Sequence, residues 1–160
     1  MNDAHLHLAL NHLPIIIPMV GLIILIGGFI LRLEVVKRTS YFIFILGAIA
    51  TIPAFTTGEG AEEMVEHLPE ISHKIIHEHE EIAETFALFS YLLGFFALIS
   101  LWASWKRKKI ALILSFVTLI LSAAVLFFAQ QTGNSGGEIR HTEIRSDAKI
   151  EKQHLDRNSD

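Results

Sequence analysis

The chain has 160 residues, 51% of them apolar, and a formal net charge of −4 with the two signs segregated along its length. One domain is the most this length holds, and apolar residues gathered into long runs exclude an ordinary water-soluble globule. With no cysteine anywhere, disulfides, Cys-ligated iron–sulfur clusters and thioether-attached haem are excluded, so any metal must be held by His, carboxylate, Met or backbone.

In chain order, the N-terminal segment brings His5, His7 and His12 to the start of a first apolar run, Leu13 to Leu33. No positive charge precedes that run, it exceeds the roughly 7 to 15 residues of a signal-peptide core, and no Ala-x-Ala pattern follows, so it is expected to stay in the mature protein. Asn11 is the expected cap and Pro14 fits the first turn. His12 then lies at a helix N-terminus, where the macrodipole disfavours imidazolium and leaves the neutral ring that metals require. The second run, Tyr41 to Thr56, is short and carries Pro53; the third is Ile82 to Trp102 and the fourth Ile110 to Ala129. Each approaches the roughly 20 apolar residues that a bilayer core of about 30 Å requires. The expected fold is an all-α membrane protein, a four-transmembrane-helix up-and-down bundle in one domain over residues 1–137, with a polar tail over 138–160 that reads as largely solvated.

Arg32, Lys37 and Arg38 separate the first two runs and Lys106-Arg107-Lys108-Lys109 the last two, whereas 57–81 holds Lys74 as its one Lys or Arg. The positive-inside rule makes the two basic loops cytoplasmic, which puts both termini and all nine histidines outside. Tyr41, Trp102 and Trp105 border the basic loops as interfacial anchors do. Ser90 and Gly94 have the small-xxx-small spacing that lets helices approach closely, and plain packing explains them.

Between the second and third runs, Met64, Val65 and Leu68 form one side and Glu62, Glu63, Glu66 and His67 the other, which predicts a short amphipathic helix lying on the membrane surface until Pro69. A further helix begins near Ser72 and continues into the third run. At about 100° per residue, Ile75, Ile76, Ile82, Ala83 and Phe86 fall within roughly 60° of His79, so His79 lies in the middle of an apolar stripe. His73, His77, Glu80, Glu81 and Glu84 group opposite, as a solvated face does. A buried imidazole costs roughly 1 to 3 kcal/mol unless paired or coordinated, so His79 needs a partner. After the fourth run, the glycines at 133, 136 and 137 allow a tight turn that folds His141 back over the bundle mouth.

Three motifs stand in order along the chain: His7-Leu-Ala-Leu-Asn-His12-Leu-Pro14; Thr57-Gly58 with Ala61-Glu62-Glu63 and then His79-Glu80; and Thr132-Gly133-Asn-Ser-Gly136-Gly137. In these the chain resembles a bacterial family of small four-span membrane domains, largely of uncharacterised function, sometimes fused to or encoded near cytochrome c modules. The family pattern places an aromatic residue after the glycines, where this chain has Glu138-Ile139-Arg140-His141. The resemblance implies the four-span fold and a shared role for His7, His12 and His79; together with the positive-inside reading, the expected location is a bacterial inner membrane with both termini on the periplasmic or outer side.

Two neutral imidazoles on facing helices are the axial ligands of a haem b, which points to a membrane redox protein exchanging electrons with a cytochrome or respiratory-complex partner. His12 and His79 are the expected axial, metal-holding pair, with His7 and His141 as second ligands or propionate partners and Arg140 as a propionate partner. Phe86, Phe89, Phe127 and Phe128 are expected to line the slot. A copper or zinc site is the alternative, since imidazoles with nearby carboxylates suit both ions. A structural subunit of a larger membrane complex, or a homo-oligomer, is the third reading. An electron carrier or subunit fits better than a stand-alone enzyme: no nucleophilic triad, phosphate loop or nucleic-acid surface is present, and topology suffices to explain the basic loops.

Overall fold

A computed structural model describes residues 2–65, 72–141 and 145. Among these every regular element is helical: α1 (Asp3–Leu10), α2 (Leu13–Ile30), α3 (Glu34–Thr56), α4 (Gly58–Val65), α5 (His73–Trp105) and α6 (Ala111–Arg140). Four of the helical stretches are long and apolar enough to cross a membrane. In α2, α3, α5 and α6 they pack as a ring, α2 on α3, α3 on α5, α5 on α6 and α6 back on α2, while α1 and α4 pack together at one end.

Large apolar side chains face outward, Ile23, Leu98 and Ile120 each being more than half exposed. That is the arrangement lipid stabilises, because hydrocarbon solvates these side chains as well as a protein core does. The inward faces are lean and polar instead. Gly21 lies against the Phe44 ring, Gly47 against Pro18, and Gly94 against Ala48, each where an added Cβ would meet its neighbour. Between these approaches run hydroxyl ties: Thr51 to Ser90 at 2.8 Å, Ser100 to Thr118 at 2.8 Å, and Tyr41 to Ser115 at 2.6 Å. Thr51, Ser100, Thr118 and Ser115 also hydrogen-bond main-chain carbonyls or one another, as dry polar groups must. Ser90 and Gly94 are thus explained by the α3–α5 crossing.

The two hairpin loops share one design. Arg32 and Arg107 have φ of 56° and 51°, the left-handed region. In each loop the Arg N–H bonds back to a carbonyl of the last turn, Phe29 or Ser104, and the following N–H reaches one residue deeper, to Gly28 or Ala103. This pair of bonds closes a helix C-terminus with a left-handed residue. Both basic loops therefore lie at one end of the bundle, which we call the basic end. The other, the histidine end, holds α1, α4, the start of α5 and the close of α6.

At the histidine end two expectations change. The N-terminal segment folds as α1, capped by Asn2, whose side chain accepts from the His5 N–H at 3.1 Å. Asn11 closes α1, and His12 occupies the N-cap of α2 without making a side-chain cap bond. The glycines at 133, 136 and 137 do not turn the chain: none has positive φ, and α6 runs through them to Arg140. A glycine permits a turn without imposing one, and the i to i−4 ladder keeps its bonds if the helix continues. The α6 carbonyls of Glu138 and Ile139 accept from Arg145 at 2.8 and 3.2 Å. Glu66, His67, Leu68, Pro69, His154 and most of the tail lie outside the described residues.

Candidate functional site

α1 presents Asp3, His7 and Asn11 at four-residue spacing on one side. An added Cβ on Gly60 would meet the Asp3 side chain at 2.6 Å, and one on Gly58 would lie 3.8 Å from His7 Cε1, so this stripe faces α4. The His7 ring reaches further, to the end of α3. Its Nδ1 lies 2.9 Å from the carbonyl oxygen of Ala54 and 3.5 Å from Thr57 Oγ1.

The local sequence explains why that carbonyl can accept. α3 stops at Thr56; Thr57 turns its N–H and its hydroxyl onto Pro53 O, at 3.1 and 2.7 Å. The break between α3 and α4 leaves Ala54 O to the side chains of Thr57 and His7. A carbonyl can only accept, so His7 carries a proton on Nδ1, and in the neutral ring the lone pair is then on Nε2. One turn from His7, the buried Oδ1 of Asn11 has no hydrogen-bond partner among the described residues.

The second imidazole comes from α5. His79 stands just before the apolar membrane-spanning segment 82–102, half-buried, one turn from the buried Ile76. Its Nδ1 is 2.8 Å from Ser135 Oγ on α6. An added Cβ on Gly136 would lie 3.0 Å from His79 Cε1, so the glycine lets α6 approach the ring edge. Burial holds the His79 pKa below the ordinary imidazole value; the nearby His7 imidazole pushes the same way, and Glu80 opposes them. His7 and His79 are thus within electrostatic reach of each other, each contributed by a different hairpin.

The remaining expected residues take other places. His12 is exposed at the start of α2, and His141 is exposed at the C-cap of α6, its N–H bonded to Gly137 O. Arg140 ends α6, and its side chain lies outside the described set. His77 is exposed, 3.5 Å from both Glu80 and Glu81, and His73 and Glu84 are exposed on the same helix. Among the described residues no group of three or more His, Asp or Glu is arranged to hold a metal ion.

The phenylalanines expected to line the slot lie on α5 and α6. Phe89 stacks on Phe128 with centroids 4.9 Å apart, Phe86 is buried, and Phe127 is 60% exposed. The rings pack on one another, as flat apolar surfaces do when offset stacking is available, and leave no gap between Phe89 and Phe128.

Sequence reasoning missed Ala54, Thr57 and Ser135. The Thr57-Gly58 pair was visible as a motif, and a Thr-Gly pair closing a helix signals freed carbonyls. Ser135 had no signal beyond its place among the closing glycines. Comparison with protein-family models, with curated proteins and with solved structures finds no match.

Proposed function

We propose that the chain is a small integral membrane redox protein that binds haem b at its histidine end through His7 and His79 and exchanges electrons with a respiratory partner. The observation that carries this reading is the pair itself. Two imidazoles from separate hairpins lie within electrostatic reach of each other, each tied by Nδ1. A ligating His that donates its other nitrogen to a carbonyl has the orientation and basicity metal sites use. His7 has that arrangement through Ala54.

The ligand count supports haem. A macrocycle supplies four nitrogens and asks two of the protein, whereas structural zinc takes four protein ligands and catalytic zinc three. Two imidazoles are what the described residues bring together. Gly136 keeps the His79 ring edge uncrowded, and Asn11 Oδ1, without a partner among the described residues, is an acceptor on the same side of α1 as His7. His12, His141 and Arg140 belong to the rim in this reading, as propionate partners.

Haem bound there supplies a reversible one-electron centre. The chain's own residues do the rest. His7 and His79 hold and orient, the Phe89–Phe128 stack excludes water from the floor, and the apolar spans fix the site at membrane depth. With both basic loops at the far end, the positive-inside rule places the histidine end and both termini outside a bacterial inner membrane.

The test is a visible spectrum of protein purified in mild detergent after haem-replete expression, before and after dithionite, with metal analysis alongside. A Soret band with low-spin features is expected; its absence sinks the haem reading, and bound copper or zinc would replace it with a metal-handling module. His7→Ala and His79→Ala should each abolish the low-spin spectrum, while His12→Ala and His73→Ala should keep it. Loss in His12→Ala with retention in His7→Ala would return the axial role to His12.

A further inference from the structure

The hydroxyl of Ser135 has one hydrogen and two neighbours. It lies 2.8 Å from His79 Nδ1 and donates at 3.2 Å to the carbonyl oxygen of Thr132, one turn back on α6. Two directions of hydrogen bonding are open to such a trio. If His79 carries its proton on Nε2, the Ser135 hydrogen must point at Nδ1, and the contact with Thr132 is lost. If His79 carries its proton on Nδ1, that N–H donates to Ser135 Oγ while Ser135 donates to Thr132. The second arrangement makes two hydrogen bonds where the first makes one, and the two bonds point the same way and polarise each other. In a half-buried position the extra bond decides the tautomer.

We propose that Ser135 is a positioning residue that fixes His79 in its Nδ1-protonated tautomer, leaving Nε2 as the nitrogen with a free lone pair. The two imidazoles then match. His7 is fixed the same way by Ala54, a main-chain acceptor that no substitution removes, whereas the tautomer of His79 depends on one hydroxyl. Ser135 lies within the Thr132-Gly133-Asn-Ser-Gly136-Gly137 segment, immediately before the glycine that admits the His79 ring. The segment thus supplies both the space for the ring and the acceptor that orients it. The use of Nε2 as an iron ligand rests on the haem reading above; the tautomer does not.

The experiment is nitrogen NMR of the full chain, labelled with 15N-histidine and prepared in micelles without haem, with His79 assigned through the loss of its signals in His79→Gln. In the unaltered protein Nδ1 of His79 is expected to have a pyrrole-type shift and Nε2 a pyridine-type shift. Ser135→Ala, a substitution that helix propensity favours, should lose this separation, giving averaged or reversed shifts. Ser135→Thr should restore it, because a helical threonine hydroxyl also bonds back one turn. An Nε2-protonated His79 in the unaltered protein, or unchanged shifts in Ser135→Ala, overturns the proposal. A protein that stays colourless with haem yet has Nδ1-protonated His79 defeats the haem reading and leaves the role of Ser135 standing. A haem protein whose His79 shifts ignore Ser135→Ala does the reverse.

Discussion

The two ends of the bundle handle polar side chains in opposite ways. At the basic end the Lys37 ammonium is buried, paired with Glu34 and 5.4 Å from the centre of the Phe29 ring. Glu34 accepts from Ser104 at 2.9 Å, and Arg38 donates to both the hydroxyl and the carbonyl of Ser104, at 2.9 and 2.8 Å. The network ties α3 to α5, and each member serves another. At the histidine end each of the two imidazoles is held by Nδ1, and among the described residues Nε2 makes no hydrogen bond and the buried Asn11 Oδ1 has no partner. A saturated network fixes how helices meet. A site with unspent donors and acceptors has binding capacity left, and that contrast is the reason the proposed site is put at the histidine end.

One substitution made at both ends sharpens the contrast, and the basic end should feel it most. An added Cβ on Gly28 would lie 2.6 Å from Lys37 Cγ and 3.0 Å from the Lys37 main-chain nitrogen. The nitrogen belongs to the start of α3, so relief requires moving a helix and the ion pair it carries. Gly28→Ala should cost about 1 to 3 kcal/mol, the range for overpacking a tight interior. Reversible unfolding in mixed micelles measures it. The haem spectrum of the folded fraction should stay unchanged, and a stable variant with an altered spectrum would show that the ends are coupled.

The same change at Gly136 meets a side chain instead of a main chain. The new Cβ would lie 3.0 Å from His79 Cε1, and a ring can give by a few tenths of an ångström. Alanine in a helix gains about 1 kcal/mol over glycine, which offsets the crowding. Gly136→Ala should therefore leave unfolding within about 1 kcal/mol of the unaltered protein while shifting the His79 NMR signals. A loss as large as that for Gly28→Ala, with His79 undisturbed, would make Gly136 a packing residue and nothing more.

The four apolar runs were legible because bilayer thickness sets a length that composition alone satisfies. The inward stripe of α5 was legible too, since the period of 3.6 places Ile76, His79, Ile82 and Phe86 together. α1 was not, because the residues it turns toward α3 and α4, Asp3, His7 and Asn11, are polar and hydrophobic periodicity does not register them. The run of glycines misled in the opposite direction. Their lack of a side chain is used for close approach at Gly136 and not for chain reversal, and sequence cannot distinguish the two uses. Ser135 is the extreme case: its role is the direction of one hydroxyl, set by a neighbour 56 residues away.

The smallest expected effect tests the loops that join the spans at the basic end. Arg107 holds a φ of 51°, where a side chain costs roughly 1 to 2 kcal/mol that glycine does not incur. Arg107→Gly removes this strain but loosens the unfolded chain, by about 0.5 to 1 kcal/mol, and removes a cation from a helix C-terminus, worth about 0.3 to 1 kcal/mol at low salt. The net change should be a gain of about 0.5 kcal/mol in high salt, shrinking toward zero as salt is lowered, because the dipole contribution is screened and the backbone strain is not. Unfolding in non-ionic micelles at two ionic strengths reads both the sign and the trend. A loss of stability at low salt that disappears at high salt would mean that the guanidinium, and not the pair of hydrogen bonds onto Ser104 and Ala103, holds the turn. The loop would then be stabilised by charge, as the site at the other end is not.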